Sequence, residues 1–154
     1  MSDGLVIRAA TAADADAIDT VHRAAFAATA YGYQGEAELV RIIDADRDAL
    51  VSLVARQGGD IVGHVLFSRM NVEADGKAIS AAALAPVAAL PDKQGQGIGA
   101  ALIRTGLDTL CEQGAAISFV LGHKEYYPRF GYSSELASRF ASPFAGPHFM
   151  AMML

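Results

Sequence analysis

The chain has 154 residues, of which 53% are apolar and 19% charged, and its net charge is −5. These values predict a single folded domain over residues 1–154, because a chain of this length and apolar content buries a real core. The acidic balance and the lack of a basic run argue against a nucleic-acid surface. Charged residues interrupt every apolar run, so no membrane span is predicted. Residues 1–4 show no leader sequence and Cys111 is the only cysteine, which favours a cytoplasmic protein.

The elements are predicted in the order β-α-α-β-β-β-α-β-α-β. Apolar periodicity and turn residues predict strands over 5–9, 50–57, 61–72, 79–90, 116–121 and 149–154. Helices are predicted after the capping-box pattern Thr11–Asp14 and over 36–46, 98–113 and 125–130, with mostly loop at 133–147. Early hairpins make an antiparallel part, and the strand–helix–strand unit at 79–121 makes a parallel crossover. The predicted class is therefore mixed α/β or α+β, with a central mixed sheet flanked by helices.

A glycine-rich run, Gln94–Ala100, lies between the predicted strand 79–90 and the long helix that follows. The first N–H groups of a helix lack intrahelical partners, and the helix dipole adds positive potential there. Gly95, Gly97 and Gly99 remove the side chains that would hold a ligand away from those N–H groups. The run therefore predicts a site for a phosphate or a pyrophosphate.

Three interpretations of this run compete. The spacing Gly95-x-Gly97-x-x-Ala100 fits a loose dinucleotide fingerprint, but no acidic residue ends the next strand, where one would bind a ribose hydroxyl. A P-loop is excluded because no Gly-Lys-Ser/Thr follows the glycines. A tightly packed turn without a ligand is the second interpretation, and membership of a known family is the third.

Residues 94–99 read Q-x-x-G-x-G, which resembles the Q/R-x-x-G-x-G/A signature of the GNAT N-acetyltransferase superfamily. The strand before it, Leu84–Pro91, and the helix after it, Ile98–Ile103, are similar to those that flank the signature in bacterial members. Downstream, Tyr126–Tyr132 resembles the family's Tyr-x-x-x-Gly-Phe element, with tyrosine in place of the last phenylalanine. Segment 121–131 resembles in particular a bacterial branch of YhbS-like N-acetyltransferases.

The resemblance implies the GNAT fold, with acetyl-CoA as the cosubstrate. The pyrophosphate would lie on N–H groups of residues 95–100, and the pantetheine arm would pair with the central strand at Val87 and Ala89. A backbone N–H near Val87–Ala88 would stabilise the thioester oxygen in the transition state. The cofactor-binding residues implied in this way are Val87, Ala88, Ala89, Gln94, Gly95, Gln96, Gly97, Ile98, Gly99, Ala100 and Tyr126.

The same resemblance implies that Tyr127 is the catalytic general acid for the leaving thiolate, since a phenol stays protonated at neutral pH. A packing role or a contact with CoA is the alternative for this tyrosine. The attacking amine has to be neutral, and Glu36, Glu38, His64 or a water chain are the candidate bases. His22 and His148 lack a metal-like partner at helical spacing, so no metal site is predicted.

The function implied is direct transfer of an acetyl group from acetyl-CoA to a primary amine in a ternary complex. A non-catalytic acyl-CoA-binding or partner-binding module on the same fold is the alternative. The acceptor amine, on a small molecule or on a protein, is not identified by the sequence. A homodimer is common among such enzymes, and the sequence leaves the oligomeric state open.

Overall fold

A computed structural model describes residues 4–154 as a mixed β-sheet with helices on both faces. The strands are β1 (Val6–Ala9), β2 (Ala49–Gln57), β3 (Asp60–Ala74), β4 (Lys77–Ala89), β5 (Ile117–Leu121) and β6 (Phe149–Met153). The helices are α1 (Ala15–Ala27), α2 (Glu36–Ala45), α3 (Ile98–Glu112) and α4 (Ser134–Ala137). The strands lie in the sheet in chain order, β1-β2-β3-β4-β5-β6. The predicted mixed α/β class is confirmed.

Antiparallel pairing runs from β1 to β4, whereas β4 and β5 are parallel and joined by the α3 crossover. The last strand, β6, pairs antiparallel with β5. The two hairpins turn at Gly58–Gly59 and at Asp75–Gly76, as the turn residues predict. Both β3 and β4 are longer than predicted, because their ladder continues through the polar residues next to the second turn.

Each face of the sheet is covered by a different set of helices. On one face α3 packs Leu102 and Leu110 into the core that contains Phe67 of β3. On the other face α1 packs Ile18 against a cluster that contains Leu66 of β3. Neighbouring residues of a strand point to opposite faces, so the central strands are buried from both sides. This explains why their sequence is an almost continuous apolar run.

The central strand β4 is irregular at the point where it leaves β5. The β3 partners of Leu84 and Val87 are only two residues apart, so β4 carries an extra residue there. Pro86 lies in this bulge and has no N–H to donate to a neighbouring strand. The pairing of β4 with β5 ends at Leu84 and Val120. Because a bulge bends its strand, the two parallel strands part beyond this point.

One prediction for the C-terminal third needs correction. The segment 125–130, predicted as a helix, contains only a 3-10 turn at Tyr127–Phe130, because Gly131 adopts a left-handed conformation and ends it. The segment 133–147 is mostly loop, as predicted, and also contains the short helix α4. The side chain of Ser133 caps its first turn, and a cap of this kind is what lets so short a helix form.

The N-terminal part of the fold begins as the capping-box pattern predicts. A 3-10 turn at Ala12–Asp14 leads into α1, and the Asp14 carboxylate accepts from the Thr11 N–H at 2.8 Å. Arg8 donates to both oxygens of this carboxylate and holds the pKa of Asp14 well below its usual range. The expectation about a leader sequence falls mainly on residues 1–3, which lie outside the described residues. Within 4–154, the helices are too short or too polar to cross a bilayer.

Candidate active site

The parting of the two parallel strands is accompanied by a cleft of about 580 Å³, a size typical of small-molecule sites. Its walls are the end of β4, the segment after β5, the start of α3 and the end of α1. The predicted site residues that line it are Val87, Ala88, Ala89, Gln94, Gly95, Gly97, Ile98, Gly99, Ala100, Tyr126 and Tyr127. Gln96 is the one member of the predicted set that does not line the cleft. Thus nearly all of the predicted residues lie around one space, although their roles there stay predictions.

The loop before α3 leaves backbone N–H groups free at the cleft. Gly95 and Gly97 have φ angles of 79° and 81°, in the left-handed region that side chains disfavour. Gly97 is the N-cap residue, no side chain caps the helix, and Ala101 donates back to the Gly97 carbonyl at 3.0 Å. The N–H groups of Ile98–Ala100 therefore have no partner within the helix. Together with the helix dipole they make a favourable place for an anion.

The end of β4 presents a second set of backbone groups. The N–H of Leu90 donates to Val62 of β3 at 2.9 Å, and N–H groups alternate in direction along a strand. The N–H groups of Val87 and Ala89 therefore point away from β3, toward the side that β5 has left. The side-chain amide of Gln94 donates to the Ala89 carbonyl at 3.1 Å. Gln94 thus joins the glycine loop to the strand, a role that the sequence pattern does not indicate.

Two neighbouring tyrosines form the wall that follows β5. The ring of Tyr127 packs onto Gly122, where a Cβ atom would lie 2.5 Å from the ring. The ring of Tyr126 meets it edge-on at a centroid distance of 5.1 Å, and its hydroxyl lies beside Gly99 at the start of α3. Burial, with a smaller contribution from Tyr126, raises the pKa of Tyr127 to about 12. Tyr127 is therefore a protonated hydrogen-bond donor across the neutral range.

Positive charge at the cleft comes from Lys93 and Arg129, which both line it. The guanidinium carbon of Arg129 lies 4.4 Å from the centre of the Tyr126 ring, and its Nε donates to the Tyr126 carbonyl at 2.8 Å. These contacts hold the arginine over the tyrosine ring. An acidic chain therefore still offers a locally basic site for a phosphate ligand.

None of the three candidate bases is among the described residues that line the cleft. Glu36 accepts a backbone N–H at 2.8 Å, and Glu38 accepts from the Tyr33 hydroxyl at 2.6 Å and from Arg23. The hydroxyl and the guanidinium lower the pKa of Glu38, so it is a poor proton acceptor. His64 is fully buried and has hydrogen bonds at both ring nitrogens. The geometry therefore does not favour any of the three as a direct base.

The wall formed by α1 is the part of the cleft that sequence reasoning missed. It consists of Ala25 and Phe26 of α1 and of Thr29, which follows the end of the helix. Ala25 packs against Ala88 of β4 in a small cluster with Val21. The helical spacing of these residues predicts that they face the sheet, but core residues show the same spacing. These residues line a cleft rather than the core only because they lie where β4 separates from β5.

The chain belongs to the GNAT acetyltransferase family, since residues 6–134 match the acetyltransferase (GNAT) domain. It is similar to the uncharacterized N-acetyltransferase YjhQ of Escherichia coli (strain K12), with 43% identity over 105 residues, 67% of this chain and 58% of YjhQ. It is also similar to the uncharacterized N-acetyltransferase YhbS of the same organism, with 35% identity over 135 residues, 87% of this chain and 75% of YhbS. The match to YjhQ thus spans less than two thirds of that protein.

Solved structures agree with these sequence relatives. A GNAT family acetyltransferase from Brucella melitensis in complex with acetyl-CoA has a TM-score of 0.83 and 35% identity, over 97% of this chain and 88% of that one. YhbS from Escherichia coli in complex with CoA has a TM-score of 0.83 and 30% identity, over 97% of this chain and 81% of that one. The resemblance to the YhbS-like branch is therefore confirmed.

Proposed function

We propose that the protein transfers the acetyl group of acetyl-CoA to a primary amine by direct attack in a ternary complex. One observation carries the proposal: the free N–H groups of α3 and the unpaired edge of β4 face the same cleft, and Tyr127 lies on its wall. The free N–H groups suit the pyrophosphate, the strand edge suits the pantetheine arm, and the tyrosine hydroxyl suits the sulfur of the thioester. The acetyl-CoA and the CoA in the two similar structures support this choice of cosubstrate.

The residues of the cleft fit the successive parts of such a cosubstrate. The N–H groups of Ile98–Ala100 would hold the pyrophosphate, and Lys93 and Arg129 would add positive charge beside it. The amide groups of the pantetheine arm would pair with the backbone at Val87 and Ala89, as an added strand does. Tyr126, beside the start of α3, would pack along the same arm. This arrangement brings the thioester to the end of the cleft that α1 closes.

The proposed reaction is balanced without a permanent base on the protein. The neutral amine attacks the thioester carbonyl, the C–N bond forms and the C–S bond breaks. The proton lost by the amine nitrogen ends on the departing thiolate, giving an amide and free CoA thiol. A backbone N–H that faces the cleft, at Val87 or Ala89, would donate to the carbonyl oxygen while negative charge develops on it.

The pKa of Tyr127 refines the role that the sequence suggests for it. A phenol with a pKa of about 12 is a much weaker acid than a thiol with its ordinary pKa of about 8.5. Complete proton transfer from Tyr127 to the thiolate is therefore unfavourable by about 5 kcal/mol. We infer that Tyr127 stabilises the departing sulfur as a hydrogen-bond donor, and that the amine supplies the proton that stays there.

Ligand binding and thiol release test the proposal in sequence. Thermal unfolding is measured with CoA, acetyl-CoA or NAD, because a ligand that binds the folded state raises Tm. Thiol release from acetyl-CoA is then followed with a panel of amines: lysine peptides, polyamines, amino acids and aminoglycosides. We expect both CoA forms to raise Tm and at least one amine to accelerate thiol release. Stabilisation by NAD alone would contradict the proposal, and CoA binding without turnover would favour the non-catalytic module.

A further inference from the structure

Three polar side chains form a hydrogen-bonded chain through the apolar interior between α1 and the sheet. The Oγ of Ser52 on β2 lies 2.8 Å from Nε2 of His64 on β3. The Nδ1 of His64 lies 2.8 Å from Nε2 of His22 on α1. The two imidazole rings meet edge-to-face at an interplanar angle of 88°, and both are fully buried. The proposed chemistry makes no use of this Ser52–His64–His22 chain.

Two buried imidazoles are not needed merely to fill the interior. Apolar side chains of similar size would pack there without the penalty of removing polar groups from water. Burial lowers the pKa of His22 to about 4 and that of His64 to about 3, so both rings are neutral at pH 7. Hydrogen bonds between neutral rings require both a short distance and a good angle. The Ser52–His64–His22 chain therefore restricts where α1 can lie on β3.

One unpaired atom indicates the direction of the hydrogen bonds. Among the described residues, Nδ1 of His22 is the buried side-chain nitrogen or oxygen without a partner. If the Ser52 hydroxyl donated to His64, then Nδ1–H of His64 would donate to His22. Nδ1–H of His22 would in that case be a buried donor without an acceptor. Orphaned N–H groups are rarer in protein interiors than under-satisfied acceptors. We therefore assign Nε2–H of His22 as the donor to His64, and Nε2–H of His64 as the donor to Ser52.

The Ser52–His64–His22 chain ends at His22, about one helical turn before the α1 residues that line the cleft. His22, Ala25 and Phe26 share one face of α1 at helical spacing. The Phe26 ring lies nearly parallel to the His22 ring, at an angle of 12° and a centroid distance of 6.0 Å. On the sheet, His64 pairs with Ala88 in the β3–β4 ladder. Ala25, Phe26 and Ala88 all line the cleft.

We propose that His22 is a positioning residue for acetyl transfer, which fixes the α1 wall relative to Ala88 through its hydrogen bond to His64. The inference rests on the proposed function. An amine that approaches the thioester has to reach bond-forming distance, and a displacement of about 1 Å lowers the rate by as much as 10²-fold. The glycine loop lies on α3, outside this chain of hydrogen bonds. Turnover should therefore depend on His22, whereas CoA affinity should not.

Three variants separate positioning from general stability. His22→Leu removes the donor, and His22→Gln keeps a side-chain N–H that can reach His64. Ile18→Ala is the matched control, because Ile18 is buried on the same helix but packs in the cluster of Val40 and Leu66, away from the cleft. Each variant is assayed at the same interval below its own Tm. The readouts are kcat for acetyl-CoA with the fastest amine of the panel, and Kd for CoA.

We expect His22→Leu to lower kcat at least tenfold with Kd for CoA within about twofold of wild type, and His22→Gln to recover most of the loss. Equal kcat values for His22→Leu and Ile18→Ala, or no recovery in His22→Gln, would overturn the inference. If the wild-type protein turns over no amine, the proposed function fails separately. Hydrogen exchange then decides: acetyl-CoA should protect the amides of residues 22–29 in wild type and Ile18→Ala but not in His22→Leu. Equal protection in all three proteins would contradict the inference.

Discussion

Two of the four walls of the cleft, those on α3 and on α1, are built in different ways. The wall on α3 comes from one contiguous stretch, in which left-handed glycines leave the N–H groups of the first helical turn free. The wall on α1 depends on a contact between His22 and His64, which are 42 residues apart in the chain. The α3 wall is therefore encoded by a short sequence motif, whereas the α1 wall forms only after the sheet has formed. From this contrast we expect changes in the α3 wall to alter CoA affinity and changes in the α1 wall to alter turnover.

The largest effect is expected at the wall that follows β5, where Tyr127 would face the reacting sulfur. Tyr127→Phe should lower kcat by about 10²- to 10³-fold, as removal of a single transition-state hydrogen-bond donor does, and should leave Kd for CoA unchanged. Steady-state thiol release and calorimetric CoA titration measure the two quantities. Tyr132→Phe is the control, because Tyr132 is buried and bonded to Ser118 at 2.8 Å. An unchanged kcat in Tyr127→Phe would remove this tyrosine from the mechanism.

A second prediction concerns the pH dependence of the α1 side. Burial lowers the pKa of His22 to about 4, and that of His64 is lowered by burial and by His22; Asp19 and Asp14 partly oppose these shifts. The unfolded chain, with an ordinary imidazole pKa near 6.5, therefore binds more protons between pH 6.5 and about pH 4. The stability from each neutral ring is complete above pH 6.5 and is lost as the pH falls through this window.

For His22 alone the loss is about 3 kcal/mol at pH 4, from about 1.4 kcal/mol per pH unit. Wild type contains both buried rings, so urea unfolding between pH 4.5 and 7.5 should show at least this slope at the acidic end, and His22→Gln with His64→Gln should flatten it. Replacing the exposed His148 by Gln should leave the slope as it is. Asp14 acts in a separate window, below its ordinary pKa of about 4. Equal slopes in wild type and the double variant would contradict the buried neutral pair.

On the α3 wall, Gly97→Val should weaken CoA binding by about 30-fold, or about 2 kcal/mol. Gly97 has a φ angle of 81°, and an added Cβ atom meets nothing within 4 Å, so the variant strains the backbone without a clash. Gly58→Val is the matched control: its φ angle is 62°, its Cβ also meets nothing, and it lies in the β2–β3 hairpin. Both variants should lose similar stability. If Gly97→Val stays folded and binds CoA as tightly as wild type, the anion site is wrongly placed.

The same contrast explains how much the sequence could predict. The order of strands and helices along the chain, the parallel crossover and the glycine loop all depend on signals within about 20 residues, such as alternation, turn glycines and a helix start. The family resemblance adds Tyr127 through a second local motif. The bend at Pro86 is also local, but a single proline does not reveal that the neighbouring strand has parted. For this reason the position of the cleft required the sheet itself.

The α1 wall could not be predicted because its signal is ambiguous. His22 and Phe26 lie on an apolar helical stripe, and such a stripe is the same whether it faces core or cleft. Nothing local to His64 identifies its partner, and a buried histidine in a strand is usually a core residue. The bond from Gln94 to the Ala89 carbonyl was missed for a similar reason, since the motif places Gln94 at the ligand. Contacts between elements decide these roles.

The smallest expected effect tests how precisely the Tyr127 hydroxyl must be positioned for turnover. In Gly122→Ala the new Cβ atom would lie 2.5 Å from Cε2 of Tyr127, so the ring has to move. Overpacking of this kind costs about 1–3 kcal/mol in stability, and the displaced hydroxyl should lower kcat about tenfold. Gly99→Ala is the matched change on the other wall, since its Cβ would lie at an ordinary 3.8 Å from the Tyr126 hydroxyl. It should leave stability and kcat close to wild type and act instead on Kd for CoA, because Gly99 lies in the predicted anion site. A larger loss of kcat in Gly99→Ala than in Gly122→Ala would mean that Tyr126, rather than Tyr127, donates to the departing sulfur.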